Sequence, residues 1–223
     1  MAAIEAVIFD MDGVLVDSEV YWSQSRIEFA QDRGKQWTDA DQRLAMGRST
    51  VGWARVMQER LGLDMTIDAI IAEMKQRVIA HYEQHMPTRP GAMRAVEIAA
   101  NNYRCGLASG SPTEIIKEVL RLTGLDQIFE VMIYGDEIPN GKPSPDIYIE
   151  AMKQLGVSPD VSVGIEDSAN GIRALKAAGM YAIAAPSPAF PLPDDILVLC
   201  DAKMDELTEF SVELVNRIQV AAE

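Results

Sequence analysis

Two aspartates one residue apart, Asp10 and Asp12, close a short apolar run from Ala6 to Phe9. Carboxylates at the end of a buried strand are costly to desolvate unless a metal ion or a reaction uses them. In an extended chain, residues i and i+2 face the same side, so these two would project together. Gly13 lets the chain turn away, and Val14 to Val16 keep the exit apolar. An ordinary strand end with its acids in water would account for one aspartate. It accounts poorly for the whole string from Glu5 to Ser18.

Two further apolar runs end in polar clusters. Cys105 to Ala108 leads into Ser109-Gly110-Ser111, and Val161 to Ile165 leads into Glu166-Asp167. Ser109 offers a hydroxyl, while Gly110 and Ser111 offer backbone N–H groups at an expected helix start, where the dipole favours an anion such as phosphate. Ser109, Ser111 and Ser168 would also serve as plain helix N-caps. That reading leaves the adjacent acids Glu166 and Asp167 unexplained. Lys142 lies in the constrained turn Asn140 to Asp146, with prolines at 143 and 145. Such a lysine is aimed at something or is a surface residue, and the turn alone does not choose.

The elements that must position these groups alternate. After Ser18 the pattern turns helical, with Tyr21, Ile27, Phe29 and Ala30 on one stripe ending at Gly34. Thr38 or Asp39 caps a second helix, Gly47 and Ser49 bracket a break, Val51 to Leu61 forms a third helix, and Thr66 to Met86 a fourth. Pro87 and Pro90-Gly91 mark the return. Helices are then expected at Gly91–Ala100, Thr113–Leu122, Pro145–Leu155 and Ser168–Ala178, with one more at the C-terminus. Strands are expected at Cys105–Ala108, Val131–Tyr134, Val161–Ile165, Tyr181–Ala184 and Ile196–Leu199. This alternation predicts an α/β fold: a Rossmann-like parallel sheet with helices on both faces, plus an inserted all-helical cap. Ligands of such sheets bind at the carboxyl ends of the strands, where the three polar clusters would meet. The expected boundaries are 1–16 and 87–223 for the core and 17–86 for the cap.

Composition narrows the partners. The chain has 223 residues and 48% hydrophobic residues, enough for one large domain or a core with a small insert. A formal net charge of −14 argues against nucleic acid and anionic membranes as partners, and requires local cations if phosphate is bound. No apolar window reaches the ~18 residues of a membrane span, and no signal peptide is apparent. Cys105 and Cys200 lie far apart in apolar runs and are expected to be buried free thiols, in keeping with a cytoplasmic setting. His81 and His85, four apart on a helix, lack an evident third ligand and are expected to sit on a helix face. The twelve methionines are expected to fill the core, the stretch Pro186 to Pro193 to form a surface loop, and Asp194-Asp195 a solvated one.

The string Asp10-Met-Asp12-Gly-Val-Leu-Val-Asp17-Ser18 resembles the first motif of the haloacid dehalogenase superfamily. Ser109, Lys142 with its Pro-Ser-Pro-Asp setting, and Glu166-Asp167-Ser-Ala-Asn-Gly171 resemble the other three, in order and along essentially the whole chain. The resemblance implies that Asp10 is the nucleophile and Asp12 the general acid/base. It implies that Ser109, Gly110 and Lys142 hold phosphate, and that Mg²⁺ is the cofactor. Asp10, the Asp12 carbonyl and Asp167 would be metal ligands, with Glu166 in or just behind that shell. Four acids so close could not all stay ionised unaided, and Mg²⁺ suits a few carboxylates, water and a phosphate oxygen. The implied activity is hydrolysis of a small phosphorylated metabolite, of the sugar or polyol phosphate class, by a monomer or dimer. The alternatives are a β-phosphoglucomutase-type mutase and a non-catalytic phosphometabolite-binding member. The mutase pattern has Gly-x-Ser-Arg and a histidine where this chain has Gly47, Arg48, Ser49 and Thr50, and Trp22. Trp22, Arg48 and Thr50 are expected on the leaving-group side of a cap hinged at Asp17-Ser18 and Met86-Pro87.

Overall fold

The computed structural model describes residues 3–46, 48–187 and 190–221. Its centre is a parallel sheet of six strands: β1 (Ala6–Phe9), β2 (Arg104–Ser109), β3 (Val131–Tyr134), β4 (Ser162–Glu166), β5 (Tyr181–Ala184) and β6 (Ala202–Lys203), in the order β3-β2-β1-β4-β5-β6. The order reverses beside β1, which pairs Phe9 with Leu107 on one side and with Ile165 on the other. The carboxyl ends of β1, β2 and β4 are therefore neighbours at the switch point, where α/β sheets form their crevice.

Side-chain alternation sends β1 residues to two cores. Val7 and Phe9 join one apolar cluster and Ala6 and Ile8 the other. Helices α5 (Ala92–Asn102), α6 (Thr113–Thr123) and α10 (Val212–Ala221) cover the first face. Helices α7 (Asp146–Leu155), α8 (Ala169–Ala177) and α9 (Asp194–Leu197) cover the second. Both faces of β1 are thus dry, and Asp10 begins where the strand leaves that dry layer.

Between β1 and α5 the described residues form four helices: α1 (Glu19–Gln31), α2 (Asp39–Ala45), α3 (Thr50–Leu61) and α4 (Ile67–Gln84). Thr38 caps α2 in a reciprocal box with Asp41, Ser49 caps α3 and Thr66 caps α4. Gly47, part of the expected break, lies outside the described residues. The helix α4 packs on α1, α3 and the core helix α6. The chain crosses into and out of this insert side by side: the Asp17 N–H donates to the Pro87 carbonyl at 2.8 Å, and the Arg89 N–H to the Leu15 carbonyl at 2.9 Å.

Several expectations need correction. Ile196–Leu199 is not a strand. Asp194 and Asp195 open the short helix α9 after Pro193, where acids suit the helix dipole, and Val198 is 79% exposed. Those two acids are exposed as expected, but in a helix rather than a loop. In α1, Ile27 is 38% exposed, and the buried stripe is Trp22, Ser25, Arg26, Phe29 and Ala30. An apolar-only reading passed over the polar members. Cys105 is buried but Cys200 is only half-buried, and both are free. Of the stretch 186–193, residues 188 and 189 are not among the described ones, and Leu192 is buried. Buried methionines include Met11, Met57, Met74 and Met204. The His81 ring contacts Glu28 Oε2 at 3.1 Å, and neither histidine belongs to a potential metal cluster among the described residues.

Candidate active site

Asp10 follows β1 directly and stays in register, its N–H donating to the Ile165 carbonyl of β4 at 3.0 Å. The side chain is buried, and Lys142 Nζ donates to its Oδ1 at 2.7 Å. Lys142 also donates to Glu166 Oε1 at 2.6 Å and to the Ala108 carbonyl at 3.2 Å. Its turn is braced from within, because Asp146 accepts from Asn140 Nδ2 at 2.8 Å and from Ser144 Oγ at 2.7 Å. The lysine is therefore aimed, and one ammonium joins the ends of β1, β2 and β4.

Glu166, fully buried, accepts from five donors. Lys142 and the Tyr148 hydroxyl (2.9 Å) share Oε1; the Asp167 N–H (3.0 Å), the Ser168 N–H (3.1 Å) and the Ser168 hydroxyl (3.1 Å) share Oε2. The Ser168 hydroxyl meanwhile accepts from the Gly171 N–H at 3.0 Å, so this serine caps α8 as expected. A Cβ at Gly171 would fall 1.8 Å from the Glu166 carboxyl carbon.

Asp12 is held differently. Its Oδ2 accepts from the Ser111 hydroxyl at 2.7 Å and the Ser109 hydroxyl at 3.1 Å, while its buried Oδ1 has no partner. Ser109 and Ser111 are thus not helix caps. The helix α6 starts at Thr113 after Pro112, and its first N–H is taken by Asp136 at 3.1 Å. Gly110 is exposed and three residues short of the helix, so its N–H is not part of the α6 N-terminus. Gly13, with φ at +77°, turns the chain so tightly that a Cβ would sit 1.9 Å from Asp167 Oδ2.

Electrostatics follow burial. The Asp10 carboxyl is pushed up to about 8, first by desolvation and then by Glu166 and Asp12, against the pull of Lys142. Asp167 is raised well above the usual carboxylate range, by burial and by the Glu166 and Asp10 charges. Burial also pushes Glu166 up, but Lys142 and the donors around it more than offset this, so its carboxyl is held low. Burial disfavours the Lys142 cation, yet Asp10 and Glu166 keep it charged far into alkali.

One oxygen each of Asp10, Glu166 and Asp167 lies within 4.8 Å of the other two. Hard oxygen donors, with two carboxyls that resist ionisation without a counter-charge, fit a divalent cation. The Asp167 carboxylate accepts no hydrogen bond among the described contacts and Asp10 accepts one, on Oδ1 from Lys142, whereas both Glu166 oxygens are already saturated.

The sequence-predicted residues Asp10, Asp12, Ser109, Lys142, Glu166 and Asp167 come together. Arg48 does not join them through any described contact: it is exposed, and its Nε donates to the Leu44 carbonyl at 2.5 Å. Sequence reasoning missed two members. Tyr148 is buried beneath Lys142, whose ammonium lies 4.9 Å from the ring centre, and the Ser111 side chain reaches Asp12. The signal for Tyr148 was a phenol on the apolar face of α7, which must find a partner when buried.

A Rossmann-like sheet with an inserted helical cap, carrying acids, a lysine and a serine at its switch point, defines the capped hydrolases built around an aspartate. The chain belongs to the haloacid dehalogenase-like hydrolase family, whose profile matches residues 4–179. It is 33% identical to hexitol phosphatase B of Escherichia coli, over 94% of this chain and 96% of that one. It is 34% identical to a phosphorylated carbohydrates phosphatase of Thermotoga maritima, over 81% of this chain and 84% of that one. The crystal structure of CbbY from Rhodobacter sphaeroides in complex with phosphate superposes with a TM-score of 0.85 at 25% identity, covering 96% of this chain and 99% of the other. Among the described residues no helix is long and apolar enough to cross a membrane.

Proposed function

We propose that the protein is a Mg²⁺-dependent phosphatase that hydrolyses a small sugar or polyol phosphate through an aspartyl-phosphate. The observation that carries this reading is the division of labour between the two aspartates. Asp10 is buried and gripped by Lys142, while Asp12, bound by two serine hydroxyls, keeps one buried oxygen free. The first suits a nucleophile and the second a proton carrier. Similarity to sugar and polyol phosphatases supports the substrate class.

An Asp10 oxygen attacks phosphorus as the P–O ester bond breaks, and the departing oxygen takes a proton from Asp12. Water then attacks the acyl phosphate, its proton passing to Asp12, and phosphate leaves with the Asp10 carboxylate restored. Lys142 and the Ser109 hydroxyl hold the non-bridging oxygens while charge builds on them, and Gly110 lends an unhindered backbone beside them. Asp10, the Asp12 carbonyl and Asp167 would hold Mg²⁺, which supplies positive charge to the phosphoryl oxygens when bound. Glu166, saturated by its five donors, stands behind that shell and fixes Lys142 and the Asp167 backbone.

Residues 17–86 act as the cap over a core formed by 1–16 and 87–223. The paired crossings at Asp17 and Pro87 support that division. Arg48, exposed between α2 and α3, is the cap cation assigned to the leaving-group side with Thr50. Trp22 is buried against Trp53, with ring centres 5.4 Å apart, and so does not offer the cleft a polar group in place of the mutase histidine. Hydrolysis is therefore favoured over mutation.

The test is hydrolysis of p-nitrophenyl phosphate and of a hexitol 6-phosphate. Turnover is expected to vanish in EDTA and return with Mg²⁺, and to fall at least about a thousandfold in Asp10→Asn. Activity above about a tenth of the unsubstituted protein in that variant, or full activity after exhaustive chelation, would refute the reading.

A further inference from the structure

The loop after β2 carries a hydroxyl that the phosphatase reading does not use. Ser111 Oγ donates to Asp12 Oδ2 at 2.7 Å, closer than the 3.1 Å of Ser109. The Ser111 N–H also donates to Ser109 Oγ, at 3.2 Å, so the two serines and Asp12 form a closed circuit of bonds. The chain around Ser111 is held firmly. Pro112 disfavours helical backbone at the residue before it. The Thr113 N–H and hydroxyl both donate to Asp136, from the turn after β3. In the same turn Gly135 comes so near the Gly110 backbone that a Cβ would lie 2.5 Å from the Gly110 carbonyl oxygen. One turn thus clamps the chain at Gly110 and Thr113, on either side of Ser111, and makes its hydroxyl an anchored donor.

Counting protons shows what this donor is for. A serine hydroxyl has a single proton to give. Ser109 gives its own to Asp12, yet in the proposed reaction it holds a non-bridging oxygen of the transferring phosphoryl group. It cannot do both at once. When Ser109 turns to the phosphoryl group, Ser111 is the donor that remains on Asp12 Oδ2 among the described contacts. Ser109 still has a lone pair for the Ser111 N–H. With Oδ2 occupied as an acceptor, the proton that Asp12 passes to the leaving oxygen belongs on Oδ1, which is buried and has no partner.

We propose that Ser111 is a positioning residue that keeps the Asp12 carboxyl aligned for proton transfer while Ser109 is engaged with phosphate. This role rests on the phosphatase reading and deepens it. Without the Ser111 hydroxyl, Asp12 loses its last donor once phosphate is bound, and its carboxyl is free to turn away from the leaving oxygen. The cost falls on leaving groups that need a proton, and spares those that depart as stable anions.

The experiment compares kcat/KM of Ser111→Ala with that of the unsubstituted protein, in Mg²⁺, on a hexitol 6-phosphate, p-methoxyphenyl phosphate and p-nitrophenyl phosphate. This ratio covers the steps up to departure of the alcohol. The two aryl esters are alike in shape and bear no hydroxyl, but methoxyphenolate is the stronger base and gains more from a proton. Ser111→Ala should lower kcat/KM at least about tenfold on the hexitol and methoxyphenyl esters, and less than about threefold on the nitrophenyl ester. Ser111→Thr, which keeps the hydroxyl, should stay within about threefold on all three. If Ser111→Ala does not fold, Ser111→Cys, whose thiol is a weak donor, should show the same selectivity. Equal losses on the two aryl esters, or no loss, would overturn the role, because packing or a phosphate contact does not sort leaving groups. A loss on the hexitol ester alone would overturn it as well, marking Ser111 as a contact to the alcohol. So would a Ser111→Thr as impaired and as selective as Ser111→Ala. All three results leave the phosphatase reading standing, since the unsubstituted protein still cleaves the esters. No hydrolysis of any of them by that protein in Mg²⁺ brings down the phosphatase reading and the Ser111 role with it.

Discussion

Tyr148 and Lys142 approach Glu166 on the same oxygen, at 2.9 and 2.6 Å, so the phenol helps to decide where the ammonium rests between Glu166 and Asp10. Burial raises the Tyr148 hydroxyl well above the usual phenol range, with Glu166 next in effect, so it stays a donor at every working pH. Tyr148→Phe removes one hydrogen bond to a charged acceptor and should cost about 1.5–3 kcal/mol of stability. With Oε1 relieved of one donor, Lys142 is drawn toward Glu166 and away from Asp10. We expect kcat to fall about tenfold while KM for the substrate changes little, read from steady-state kinetics beside thermal melts. A variant with unaltered kcat would show Tyr148 to be packing alone. The acids were legible in the sequence because each ends an apolar run, and Lys142 because its Pro-Ser-Pro-Asp setting resembles a family motif, its turn alone leaving the choice open. Tyr148 and Arg26 were not, because a polar side chain on a buried helical stripe declares itself only through a partner far away in the chain.

Helix α8 shows how closely an element must approach to build the site. At Gly164 of β4 a Cβ would lie 2.0 Å from Leu175 Cδ2, and at Gly171 one would lie 1.8 Å from the Glu166 carboxyl carbon. The second contact places the first turn of α8 directly against the carboxylate it helps to orient. In an ordinary helix, Gly→Ala stabilises by about 1 kcal/mol. Here Gly171→Ala must push Glu166 aside, so the expected sign is reversed: a loss of about 1–3 kcal/mol by denaturant melts, with kcat/KM down at least about a hundredfold. A stabilised and active variant would contradict the packing. At this scale the β/α alternation could be read from glycines, prolines and apolar runs. Residues 196–199 could not, because a short apolar run has no periodicity of its own. The preceding Pro193-Asp194-Asp195 favours a helix start, and the sheet closes instead with the two-residue strand Ala202–Lys203.

The cap meets the core in two kinds of contact. At the crossings the joint is backbone, with Asp17 bonded to Pro87, and Arg89 donates to the Gly13 carbonyl and, at 3.1 Å, to the Ala185 carbonyl. That guanidinium fastens the returning chain to the turn behind Asp12. The other contact joins helices. Lys75 of α4 donates to Glu114 of α6 at 2.7 Å, and the Glu114 carboxyl is held low chiefly by that hydrogen bond. Glu114 is 58% exposed, so the pair belongs with surface ion pairs worth about 0–1 kcal/mol. Such a bond cannot hold a cap shut, but it can bias an opening equilibrium about fivefold at most. Lys75→Ala and Glu114→Ala should each raise KM for the true substrate within that factor, and the double variant should be no worse than either single one. Raising ionic strength should erase most of the difference, since an exposed pair is screened by salt. Additive losses in the double variant would mean the two residues act independently, and the α4–α6 contact would then be fold rather than latch.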